Sequence, residues 1–290
     1  MPSPPSSRVL RLAGGGWAAT LLPGQGAAVA RLDWQGRAIL APLPEGADPN
    51  ATPAGAFVML PWANRLDAGR IGIAGALHHL PVNRAADRTA IHGLARDRPW
   101  VVEQAAPDAA ALTQVLDDPA LPLRYAARFR LALSSAGVAL TLGITARGDR
   151  PQPLGFGWHP WFACPPGTWL AFNARWRFRH DARRLPVAAE PFVRLDGEEV
   201  TLAGLDTHFA GWDGRATLRH PDGTLLRLDA TGAWAGNVQV YKPPGVDALC
   251  VEPVSHVPDA PNRPVLAPLG PMAVLRPGET LEGRLLLTAR

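Results

Sequence analysis

Apolar residues that alternate with small or polar ones constrain this chain more than any other feature. Val138, Leu140, Leu142 and Ile144 are separated by Ala139, Thr141 and Gly143, and a period of two sends successive side chains to opposite faces of a strand. The preceding run from Tyr125 to Leu133 puts Phe129, Leu131 and Leu133 on one face and Arg128 and Arg130 on the other, with Ser134-Ser135-Ala136-Gly137 as the hairpin connection. A second hairpin is spelled by Arg215 to Arg219, His220-Pro221-Asp222-Gly223, and Thr224 to Asp229; Asp-Gly tolerates the positive φ of a tight turn. Gly14-Gly15-Gly16, Pro23-Gly24 and Gln35-Gly36 punctuate the N-terminal third, and Pro277-Gly278 precedes a last run from Thr280 to Thr288. Gly (29) and Pro (31) make up about a fifth of the 290 residues, a composition that resists helix. A helical turn or two is expected only over Ala105 to Leu116, where Pro107 is confined to a start position. Nothing recurs at a solenoid or propeller period. The expectation is an all-β fold, one large antiparallel β-sandwich domain over 9–290, preceded by a flexible tail over 1–8.

The composition narrows the function classes. Hydrophobic residues make up 47% of the chain, enough for a sizeable core. No apolar run approaches the roughly 20 residues of a membrane-spanning helix, and the opening Met1-Pro2-Ser3-Pro4-Pro5 lacks the apolar stretch of a secretory signal. Cys164 and Cys250 can neither build a disulfide framework nor fill a zinc site alone, so they are expected as buried thiols in a reduced cytoplasm. The net charge of +4 is spread over scattered arginines with a single lysine, Lys242. A nucleic-acid binder more often shows a basic stripe, so neither nucleic acid nor membrane is expected as a partner.

Polar chemistry concentrates in three loop-like stretches: Asn64-Arg65, Gly69-Arg70 and His92-Gly93-Leu94-Ala95-Arg96; Trp158-His159-Pro160-Trp161-Phe162; and Val251-Glu252-Pro253 with Pro258-Asp259-Ala260-Pro261-Asn262. Each residue has a plain structural reading. His92 beside a glycine fits a turn, His159 between tryptophans fits a packed and satisfied imidazole, and Asn64-Arg65 fits a loop ion pair. Glu252 is harder to dismiss, because a carboxylate at the end of an apolar run is costly to bury without a partner. Trp62, Trp158 and Trp161 adjoin these candidates, and an indole face suits the C–H side of a sugar ring.

Taken together and in order, these segments resemble the aldose 1-epimerase (galactose mutarotase) family. Asn64-Arg65 with Gly69-Arg70, His92-Gly93 with Trp100, the segment around His159, Leu205-Asp206-Thr207-His208-Phe209, the Glu252 segment and the closing Leu275-Arg276-Pro277-Gly278-Glu279 all find counterparts there. The resemblance implies a galactose mutarotase-like supersandwich that holds a sugar on a concave sheet face and interconverts α and β anomers without metal or organic cofactor. It implies Glu252 as the base at the anomeric hydroxyl, His159 as the acid at the ring oxygen, and His92 hydrogen-bonded near that oxygen. Arg65 and Asp206 would hold ring hydroxyls, with Asn64 and Trp161 completing the substrate contacts. One base and one acid on opposite sides of the anomeric centre suffice to open a hemiacetal, because the intermediate is an open-chain aldehyde that needs no nucleophile. His92-Gly93-Leu94 replaces the His-Gly-Gly of galactose-specific members, and Trp158 and Pro160 flank His159 in place of Asn and Tyr. The preferred sugar therefore stays open. A hexose 6-phosphate served by Arg70, Arg96 or Arg98, a non-catalytic carbohydrate-binding protein, and a glycosidase using Asp206 and Glu252 are the alternatives. A monomer or homodimer is expected.

Overall fold

The computed structural model describes residues 9–290, and the tail expected over 1–8 lies outside them. The alternating runs form antiparallel strands. Tyr125–Ser134 pairs with Gly137–Ala146 along its full length, from Tyr125 opposite Ala146 to Ser134 opposite Gly137. Phe129, Leu131, Leu133, Val138, Leu140, Leu142 and Ile144 are buried, while Arg128 and Arg130 face solvent. Arg215–Arg219 and Leu225–Gly232 form the second hairpin around Asp222-Gly223. Both belong to a nine-stranded antiparallel sheet that also contains Thr280–Ala289, Trp169–Asn173 and Arg194–Glu198.

Helical structure among the described residues is confined to short 3-10 turns such as Ala95–Asp97 and Ala260–Asn262. The stretch Ala105 to Leu116 is not helical. Val101–Ala105 and Ala109–Leu116 are paired strands, the second of which is locked residue by residue against Tyr125–Ser134. Pro107 sits in the turn between them, so the local helical tendency of an alanine-rich stretch gives way to sheet pairing that buries Ala110, Leu112 and Leu116.

Two six-stranded sheets and three two-stranded ladders, one pairing Arg65–Asp67 with Thr89–Ile91, carry the rest. One six-stranded sheet runs Leu10–Gly14, Trp17–Leu22, Ala28–Trp34, Ala56–Met59 and Gly157–Pro160, with Arg37–Ala38 paired to Ala28–Trp34. The other runs Phe162–Ala163, Ala248–Pro253, Asn237–Tyr241, Asp206–Ala210, Trp176–His180 and Pro186–Pro191. Bridges between Leu40 and Phe162 and between Gly157 and Val254 stitch them together. The largest buried apolar cluster draws on all three sheets, including Leu32, Phe129, Leu285 and Val251. The seam between the two six-stranded sheets is what brings the strand of His159 beside the strand of Glu252.

Two imidazoles outside the candidate set are sealed into this interior, His256 bonded through both nitrogens and His208 through one. His208 meets Asn237 Oδ1 through Nε2 at 3.1 Å. His256 accepts a hydrogen bond from the Ala63 amide through Nε2 at 3.1 Å, and its Nδ1 lies 2.8 Å from the Val257 carbonyl. Burial pushes His208 down to about 3 and His256 to about 4. An unfolded chain takes up these protons near pH 6.5 and the folded chain only below pH 4. Their contribution to stability is therefore complete above about pH 6.5 and is lost as the pH falls, at up to about 1.4 kcal/mol per pH unit for each group. Urea unfolding between pH 7 and pH 5 should show this decline, and His208→Gln should flatten it by up to one proton; an unchanged slope would contradict the assignment.

Candidate active site

The chain segments that carry the candidates are interlocked by main-chain hydrogen bonds. The Leu60 carbonyl accepts from the amides of Leu94 and Ala95, and the His92 amide donates to the Asn64 carbonyl at 2.9 Å. Asn64 and His92 both have left-handed backbones, with φ of 55° and 62°. Gly93, at φ 72°, passes so close that a Cβ would stand 2.0 Å from the Leu60 oxygen, which is why glycine follows the histidine. Asp259, fully buried, ties the third segment in. Its amide donates to the Arg65 carbonyl, its carboxylate accepts from the Asp67 amide at 2.9 Å and from Asn262, and it pairs with Arg263 at 2.8 Å.

The result is a cavity of about 670 Å³ lined by all seven expected residues: Asn64, Arg65, His92, His159, Trp161, Asp206 and Glu252. His159 Nε2 lies 3.4 Å from Glu252 Oε1, just beyond ordinary hydrogen-bond length. The two groups therefore stand side by side rather than on opposite sides of a groove as expected, because Gly157–Pro160 packs directly against Ala248–Pro253. The anomeric hydroxyl and the ring oxygen are substituents of one carbon, so adjacent groups can reach both.

Aromatic rings fix the imidazoles. Phe57 stacks on His159 with centroids 4.5 Å apart, His92 meets His159 edge-on at 5.2 Å, and Trp161 tilts against His159 at 5.2 Å. Trp161 is the tryptophan on the cavity; Trp62 and Trp158 are buried in the core and do not line it, since their rings complete the packing beneath the site. His92 Nδ1, His159 Nδ1, Trp161 Nε1 and Glu252 Oε2 are buried without a hydrogen-bond partner in the protein, a concentration of unmet polar atoms that marks a ligand site.

Burial, reinforced by the Arg96 guanidinium, drives His159 down to about 3 and His92 well below its ordinary value. Burial and then the charge of Asp206 push the Glu252 carboxyl well up, with Arg65 opposing. Burial thus opposes charge on the carboxyl and on the imidazole alike.

The remaining polar walls are paired. Arg65 Nε binds Asp87 at 3.1 Å with both side chains largely buried. Asp206 accepts from Gln239 Nε2 at 2.6 Å and lies 3.9 Å from Arg184. Of the arginines expected for a phosphate, only Arg96 lines the cavity, with its guanidinium over the Phe57 ring at 5.2 Å. Arg70 is bound to Asp67, and Arg98 donates to the Leu94 carbonyl. Sequence reasoning missed Gln239, which faces Glu252 across the strand pair and leaves its Oε1 unmet, and also Phe57 and Tyr241. The alternation of Asn237-Val238-Gln239-Val240-Tyr241 was the available signal, since it puts Gln239 on one face with Asn237 and Tyr241.

Fold and site define a β-sandwich with a buried carboxyl–imidazole pair lining a cavity of small-molecule dimensions. The model of the aldose 1-epimerase family matches residues 8–288, and the chain belongs to that family. It is 26% identical to the uncharacterized protein YphB of Escherichia coli K12 over 249 residues, 79% of this chain and 82% of that one. It is 27% identical to the uncharacterized protein YihR of the same organism over 282 residues, 89% and 87% of the two chains. The fold matches a galactose mutarotase-like protein from Clostridium acetobutylicum with a TM-score of 0.85 at 18% identity, covering 97% of this chain and 95% of that one. Family membership makes the chain an epimerase-type isomerase at the level of its family. No helix among the described residues is long and apolar enough to cross a membrane.

Gly93→Ala should destabilise the protein by more than ~1 kcal/mol in thermal or urea unfolding, because both the positive φ and the Leu60 carbonyl oppose a side chain. Wild-type stability in that variant would contradict this account of the His92 loop.

Proposed function

We propose that the protein is a mutarotase that interconverts the α and β anomers of an aldose by opening and reclosing its ring. The observation that carries this reading is the 3.4 Å approach of His159 Nε2 to Glu252 Oε1 within a cavity roomy enough for a sugar. Glu252 takes the proton from the anomeric hydroxyl while His159 delivers one to the ring oxygen, and the C1–O5 bond breaks to give the open-chain aldehyde. Rotation about C1–C2 presents the other carbonyl face, and reclosure runs the two transfers backwards. His92 supports the ring oxygen, and Asn64, Arg65, Asp206 and Trp161 hold the hydroxyls and the C–H face of the ring.

The electrostatics favour such a shuttle. Ring opening converts a carboxylate and an imidazolium into a carboxylic acid and a neutral imidazole, which is the arrangement that burial prefers.

Arg96 supports a second reading in which the aldose carries a phosphate. Its side chain borders the cavity, is only 12% exposed, has a buried Nε without a partner, and has no acid closer than Asp97 at 3.9 Å. Such an unspent cation suits an anionic substituent.

NMR exchange between anomers over a panel of free aldoses, with glucose 6-phosphate beside glucose, tests both readings. Acceleration of at least one sugar is expected, and Glu252→Gln should lower the rate about 10²–10⁴-fold with the fold intact. No acceleration of any sugar would overturn the assignment. A preference for the phosphate that collapses with added salt would select the second reading.

A further inference from the structure

Cys250 has no part in the proton shuttle, yet it lies two residues before Glu252 on the strand Ala248–Pro253 and so shares its face. It is a free, fully buried thiol. A sulfur of Cys250, a ring nitrogen of His159 and a carboxylate oxygen of Glu252 all lie within 4.8 Å of one another. The 3.4 Å between His159 Nε2 and Glu252 Oε1 equals the edge of a tetrahedron about zinc, since Zn–N and Zn–O bonds of about 2.0–2.2 Å put such ligands roughly 3.3–3.5 Å apart. Glu252 Oε2 is buried and unpartnered beside this cluster.

We infer that Cys250, His159 and Glu252 form an inhibitory binding site for a soft divalent cation such as Zn2+. Thiolate, imidazole and carboxylate are a donor set that favours zinc or cadmium over magnesium or calcium. Glu252 and His159 border the cavity while Cys250 lies behind them, so the ion enters from the sugar side. Its fourth position faces the cavity, open to water or a sugar hydroxyl. Binding releases the thiol proton and any proton on Glu252 to solvent and occupies both groups that the proposed reaction uses, so the ion and turnover exclude each other. The inhibitory character rests on the proposed function, whereas the site itself rests only on the three ligands.

Cadmium and zinc titrations of the full-length protein separate the two. One equivalent of Cd2+ should give ultraviolet thiolate-to-metal charge-transfer absorption in the wild type and in Cys164→Ala, and none in Cys250→Ala. Zn2+ should slow anomer exchange in the wild type and be reversed by a chelator. In Cys250→Ala, with basal exchange retained, the inhibition constant should rise by more than the ~10–100-fold typical of losing an outer-shell partner. Cys250→Ser carries the same test should the alanine variant not fold. Absence of the band in the wild type, its survival in Cys250→Ala, or equal zinc sensitivity of the two proteins would overturn the site. A Cys250-dependent band lost in Glu252→Gln, in a protein that accelerates no sugar, would uphold the site while overturning the mutarotase reading.

Discussion

Desolvation of one carboxyl and one imidazole in mutual reach is the constraint on which the rest of the site depends. In water a carboxylate and an imidazolium would each be stable alone and would exchange protons with solvent. Beside Phe57 and Trp161, burial leaves neither charge well supported. Opposite shifts of two neighbouring titratable groups characterise acid–base sites, and the two arise here from the same cause.

Sheet architecture holds that arrangement. Glu252 is on a strand paired to Gln239 and Val240, and His159 is on a strand paired through Phe57. Both therefore project from regular structure, whose rigidity keeps two groups within a fraction of an ångström. The substrate-facing loops are more irregular and are fastened differently: Asp259 clamps the strand of Arg65, the Leu60 carbonyl holds the residues after His92, and Arg65 is braced by Asp87. Positive φ at Asn64 and His92 is the kind of backbone strain found where side chains must be aimed rather than merely buried.

The all-β class was readable because alternation at Tyr125–Leu133 and Val138–Ile144 is a local signal that long-range pairing reinforces. Over Ala105 to Leu116 the local signal was ambiguous, and the decisive term, pairing with Tyr125–Ser134, lies outside the segment. Six of the seven site residues were readable as unusual residues in three stretches, Asp206 only through the family resemblance, and the cavity gathers all seven. Their relative placement was not, since the crossing of two sheets makes His159 and Glu252 neighbours where their chemistry alone suggested opposing walls. Gln239 escaped notice because one polar residue on an alternating strand looks like any solvent-facing position. Trp62 and Trp158 drew notice by adjacency in sequence, yet both are buried in the core, Trp158 on the strand face opposite His159.

The central claim is that Glu252 and His159 act as one proton-shuttling unit on a sugar. Anomer-exchange rates of the wild type, Glu252→Gln, His159→Gln and the double variant on one accepted aldose test it most directly. Groups that work as a unit lose nearly everything with the first removal, so each single variant should fall about as far as the double. Independent losses that multiply in the double variant would show two separate contributions and contradict the account.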